Sequence, residues 1–119
     1  MKSLIIIAHG SRKETSNIEV IDIVNQIKNS ETSYSLVESA FLEFANPTIE
    51  ESVKKSIDQN LLEIYIYPYF LNSGKHVTSD IPDTIQTLKT KYPQVNFTML
   101  PHFGESKKIN EIILSDTDL

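Results

Sequence analysis

Three side chains able to bind a metal ion occupy comparable places in this chain: the imidazoles of His9 and His76 and the carboxylate of Glu43. Neutral imidazole binds Fe(II), Co(II), Ni(II) and Zn(II), and a carboxylate adds charge without closing the coordination sphere. Two imidazoles and a carboxylate therefore hold a divalent ion while leaving positions open, whereas a closed site would trap it. The chain has no cysteine, so thiolate metal sites, disulfides and thiol catalysis are excluded and any ion must be held by nitrogen and oxygen. Arg12, Lys13 and Lys75 flank the two histidines and, with Ser11, offer donors to the carboxylates of an anionic ligand. Glu43 sits among Phe41, Leu42 and Phe44; it is either a solvated strand-end acid or a buried one, and burial there is expected to raise its pKa and suit it to proton exchange. A single histidine after a strand is more often a loop or capping residue than a ligand, so the metal reading rests on the pair.

The elements that must position these groups alternate along the chain. Leu4 to Ala8 is an unbroken aliphatic run, the composition of a parallel strand covered on both faces, and His9-Gly10-Ser11-Arg12 follows it directly. Ile18, Ile21, Val24 and Ile27 recur at helical spacing. Leu36 to Phe44 reads as a second strand ending in Glu43, with Asn46 as N-cap and Pro47 in the first turn of a helix carrying Ile49, Val53 and Ile57. Leu62 to Tyr69 makes a third strand, on which Tyr65, Tyr67 and Tyr69 share one face, with core packing as their default role. The turn Asn72-Ser73-Gly74-Lys75 then delivers His76, while Phe70 and Leu71 are candidates to line a cavity for a flat ring. Ile81, Ile85, Leu88 and Tyr92 mark a third helix with Pro82 near its start, Val95 to Leu100 a fourth strand, and Ile109, Ile112 and Ile113 a short final helix. His102, between Pro101 and Phe103, reads as a pocket wall.

Single crossover helices between strands imply an α/β fold: a three-layer sandwich around a four-stranded parallel sheet. Ligands of such sheets bind beyond the carboxyl ends of the strands, where His9, Glu43 and His76 are all expected. The 119 residues suit one domain, 1–119, with no linker or low-complexity tract. The N-terminal apolar run is far short of the ~20 residues a membrane span needs, which points to a cytoplasmic protein with no membrane partner. A net charge of -5 disfavours nucleic acid as a partner.

Ala8-His9-Gly10-Ser11-Arg12, Phe41-Leu42-Glu43 with Asn46-Pro47-Thr48-Ile49, Gly74-Lys75-His76-Val77 leading to Asp80-Ile81-Pro82, and Leu100-Pro101 with Gly104 come in this order and spacing. On these motifs the chain resembles, nearly end to end, the short type II tetrapyrrole chelatases, the CbiX/SirB-like sirohydrochlorin chelatases. The resemblance implies a chelatase-like (flavodoxin-like) half-domain. The activity it implies is insertion of a divalent metal (Co2+, Fe2+ or Ni2+, as substrate, with no permanent cofactor) into sirohydrochlorin. It further implies His9 and His76 as metal-handling groups, Glu43 assisting, and a homodimer whose two copies build the cleft that longer relatives form from fused halves. Glu105-Ser106-Lys107 replaces the His-Pro pair common after the glycine of the last loop, and no histidine-rich loop is present.

Three other readings compete. Histidine phosphatases also place His-Gly after a first strand, but they need an arginine where this chain has Ala8. A nucleotide-binding flavodoxin-like module lacks its Gly-rich phosphate loop here, with three glycines in the whole chain. A non-catalytic metal or tetrapyrrole carrier would keep the same ligands and differ only in turnover.

Overall fold

The computed structural model describes residues 1–117. Its elements run β1 (Lys2–Ala8), α1 (Glu14–Lys28), β2 (Leu36–Phe41), α2 (Ile49–Asp58), β3 (Glu63–Pro68), a π-type turn (His76–Asp80), α3 (Ile81–Lys91), β4 (Asn96–Met99), a 3-10 turn (Phe103–Glu105) and α4 (Ile109–Thr117). The four strands form one parallel sheet in the order β2-β1-β3-β4, the α/β sandwich the alternation calls for.

Alternation along β1 divides its side chains between two helical layers. Ile5 and Ile7, both fully buried, pack with Val53 of α2 and Ile81, Ile85 and Leu88 of α3. Leu4 and Ile6 point the other way, onto Val24 and Ile27 of α1, and share that face with Tyr65, Tyr67 and Tyr69. The tyrosines are thus on one face and half-buried. On this face the buried cluster is smaller: among helical residues it draws on Val24 and Ile27 of α1, whereas the opposite face is covered by residues of both α2 and α3. Tyr67 and Tyr69 line an apolar hollow of about 270 Å³ with Leu4, Ile6, Ile23, Ile27 and Phe103.

The third and fourth strands are each one residue shorter at both ends than the sequence reading, and two boundaries near the site differ more. The second strand ends at Phe41, three residues early, because the backbone of Phe44 is left-handed (φ 63°) and the chain between folds back, Phe41 N–H donating to Pro47 O at 2.9 Å. The second helix begins at Ile49, with Thr48 rather than Asn46 as N-cap. Thr48 and Glu51 satisfy each other's backbone N–H groups reciprocally, which leaves Pro47 outside the helix.

The sheet order fixes where a ligand can approach. β1 is flanked by β2 on one side and β3 on the other; the crossover from β1 to β2 runs through α1 on one face, and that from β2 to β3 through α2 on the other. A crevice opens at such a switch point beyond the carboxyl ends of the strands. The loops after β1 and β3 meet there.

Candidate functional site

Gly10 makes the first turn possible. Its φ of +91° is in the region open to glycine, and an added Cβ would lie 1.8 Å from the carbonyl oxygen of Glu43. That close approach lets Glu43 N–H donate to His9 O at 2.9 Å, so the segment after β2 is tied to the segment after β1. Asn17 braces the same turn: its side chain accepts from Ser11 N–H at 2.9 Å and donates to Ser11 O at 2.8 Å. The Ser11 hydroxyl accepts from Lys13 N–H, so Ser11 stabilises the turn it was expected to extend toward a ligand.

The loop after β3 carries His76 to the same place. The His9 and His76 rings lie 4.7 Å apart, centroid to centroid, at an interplanar angle of 51°. Both side chains are about two-fifths exposed. His9 Nδ1 is 2.9 Å from the Gly10 carbonyl oxygen and His76 Nδ1 is 2.7 Å from Asp80 Oδ2. Both oxygens are acceptors, so in the neutral ring each Nδ1 carries the hydrogen and each Nε2 is left with the lone pair a metal requires. His9 Nε2 stands 3.1 Å from Glu43 Oε2. A lone pair facing a carboxylate at that distance is unfavourable unless a cation lies between them or at their side.

For Glu43 the structure takes the solvated reading over the buried one. Its side chain is 54% exposed instead of buried among apolar neighbours, because the strand has already ended and the left-handed turn at Phe44 directs both residues outward. Its role in the geometry comes from its contact with His9. Arg12 lies with its guanidinium carbon 4.8 Å above the Phe44 ring. Both residues line a hollow of about 310 Å³ with Ser11 and Asn17. Lys75 is exposed at the start of the π-type turn.

Phe70 and Leu71 line a hollow of about 260 Å³ with Gly74, His76 and Val77, next to the paired rings. His102 is set apart from that hollow. It is buried, walls a different one with Tyr67, Pro101, Glu105 and Ser106, and its Nδ1 is 2.8 Å from Glu105 Oε1 without hydrogen-bond alignment. Asp80 was not singled out from the sequence, although its place four residues after His76 on a helical turn is the signal that pairs them. Among the described residues no group of three or more His, Cys, Asp or Glu side chains is placed to hold a metal ion, so His9, Glu43 and His76 do not form the three-ligand set expected from the sequence. What the geometry provides is a pair of imidazoles from different loops with no closed set of ligands around them.

Residues 3–118 match the family model CbiX. The chain is 31% identical over 114 residues to the sirohydrochlorin ferrochelatase of Priestia megaterium, covering 96% of this chain and 42% of that one. To the sirohydrochlorin cobaltochelatase of Methanocaldococcus jannaschii it is 37% identical over 82 residues, 69% of this chain and 57% of that one. It therefore spans about half the length of these relatives. Among solved structures, SirB from Bacillus subtilis with Fe3+ superposes with a TM-score of 0.86 at 27% identity over 97% of this chain and 46% of that one. The CbiX protein from Marinobacter aquaeolei superposes at 0.87 and 20% identity over 99% and 95%, a likeness of fold alone.

Proposed function

The chain belongs to the CbiX family, and from that premise we propose that it inserts a divalent metal into sirohydrochlorin. The observation that carries the proposal is the 4.7 Å approach of two imidazoles from different loops, both offering Nε2 at the switch point of the sheet. The names of relatives matching most of the chain, a ferrochelatase and a cobaltochelatase acting on sirohydrochlorin, support the substrate and the reaction.

In the proposed mechanism His9 and His76 present the metal through Nε2 below the plane of the macrocycle. Arg12, Lys75 and the Ser11 turn face its peripheral carboxylates, and the ring distorts to expose its pyrrole nitrogens. Metal–nitrogen bonds replace the imidazoles one at a time, and two N–H protons leave the ring. Glu43, half-exposed and in contact with His9, receives one of them, and a histidine freed of the metal receives the other. Imidazole and carboxylate accept Co2+, Fe2+ and Ni2+ alike, so the choice among them follows supply.

We propose further that the working unit is a homodimer in the cytoplasm. Two features support a second copy. Ile112, Ile113 and Leu114 of α4 are 49%, 55% and 64% exposed, and the face carrying Tyr67 and Tyr69 is left with an apolar hollow. Among the described residues no helix is long and apolar enough to cross a membrane.

The test follows the absorbance change of sirohydrochlorin on adding Co2+, Fe2+ or Ni2+ to the purified protein. Catalysed insertion, abolished in His9→Ala with the melting transition kept, is expected. Binding of metal and macrocycle without turnover refutes the enzyme and leaves a carrier.

A further inference from the structure

Phe44 stands out twice over. Its side chain is a large apolar group, 54% exposed, and its backbone is left-handed at φ 63°. For a bulky residue that conformation is a rare outlier. Exposure forgoes burial of the ring, and the backbone carries strain; neither is explained by packing of the core. Strain of this kind persists where the surrounding structure holds it and clusters at ligand sites.

The ring has one conspicuous contact. The Arg12 guanidinium lies 4.8 Å from its centroid, the stacked arrangement of a cation on an aromatic face. Among the described residues Arg12 has no carboxylate within ion-pair distance, although Glu14 lines the same hollow. A guanidinium stacked on a ring keeps its N–H edges free for an acceptor while the face is covered. Both residues adjoin the metal-handling groups: Arg12 is three residues after His9, and Phe44 follows Glu43, whose carboxylate contacts His9 Nε2.

We propose that Phe44 is a positioning and specificity-determining residue, which holds the Arg12 guanidinium at the mouth of the site to receive a peripheral carboxylate of the macrocycle. This rests on the chelatase reading and assigns a purpose to the left-handed turn within it. An Arg12 free of its platform would have to be ordered by each incoming substrate, so the loss falls on binding and leaves metal transfer untouched.

The experiment compares wild type with Phe44→Gly, Phe44→Tyr, Arg12→Gln and the Phe44→Gly/Arg12→Gln pair. Glycine adopts the left-handed backbone freely, so Phe44→Gly is expected to melt no lower than wild type. Its KM for sirohydrochlorin should rise about tenfold, with kcat within about twofold, as befits the loss of a partly exposed cation–π platform. Phe44→Tyr should restore KM, and Phe44→Gly should add little in the Arg12→Gln background, since the two residues act as one unit. An unchanged KM in Phe44→Gly, full additivity in the pair, or a KM that rises only as the folded fraction falls would overturn the proposal. Titration of metal-free protein with sirohydrochlorin separates this result from the fate of the chelatase reading. If wild type binds the macrocycle without inserting metal, the chelatase reading fails, while weaker binding by Phe44→Gly still supports the platform and equal binding still overturns it. If wild type does not bind the macrocycle, both fall.

Discussion

Gly10→Ala concentrates the consequences of the site's architecture in one methyl group. The added Cβ would lie 1.8 Å from Glu43 O and 2.9 Å from Glu43 C, main-chain atoms that cannot rotate away. Ordinary contact requires the two loops to part by more than about 1 Å, since carbon and oxygen that are not bonded sit at roughly 3.5 Å. The left-handed φ of +91° adds about 1–2 kcal/mol for a residue with a side chain. The hydrogen bond from Glu43 N–H to His9 O, worth roughly 1 kcal/mol, does not survive the separation. Together these come to about 2–3 kcal/mol, a fall in Tm on the order of 10 °C for a chain of this size. Activity suffers more, because a displacement of about 1 Å in a group that handles the reactant costs roughly 100-fold. Melting followed by circular dichroism and initial rates of cobalt insertion at a temperature where the variant is folded separate the two losses. A variant that melts within about 2 °C of wild type and inserts metal at a comparable rate would refute the claim that the Gly10–Glu43 approach sets the position of His9.

The remaining expectations are smaller in scope. Asp80→Asn exchanges the carboxylate that accepts from His76 Nδ1 for a weaker acceptor; insertion should slow about 10-fold to 100-fold with Tm nearly unchanged, and a rate equal to wild type would remove Asp80 from the site. Thr48→Ala removes one half of the reciprocal cap of α2 and should lower stability by about 1 kcal/mol in urea melts, with insertion kinetics preserved. Burial, then the neighbouring Tyr69, raises the pKa of Tyr67, and burial, then Tyr65, raises that of Tyr34. Folding therefore favours their neutral forms. The contribution is complete below the unfolded value of about 10 and is lost as pH rises through the higher folded values. Absorbance titration of the phenols should show the two ionising late, and Tyr67→Phe should remove one late step.

Much of this fold was legible because its signals are local. The run from Leu4 to Ala8 could hardly be anything but a covered strand, and Ile81, Ile85 and Leu88 recur on one helical face that the structure buries. The start of α2 is ambiguous in sequence because Asn46 and Thr48 are both good caps; Glu51, three residues after Thr48, decides between them by completing the reciprocal cap. Which of the two readings of Glu43 holds is decided by something no pattern of hydrophobicity contains. A phenylalanine gives no hint that its backbone will be left-handed, and that turn releases Glu43 and Phe44 to solvent. That His9 and His76 each follow a strand could be read from the sequence. Their meeting could not be, because it depends on β1 and β3 being neighbours, a pairing between segments separated by more than 50 residues.

The contact between His9 Nε2 and Glu43 Oε2 is also a gap of defined sign. Two electron-rich atoms so placed are relieved by one positive particle between or beside them. On the proposed function a divalent ion fills that place and its handover empties it again, so the crowding that draws an ion in recurs at the end of every cycle.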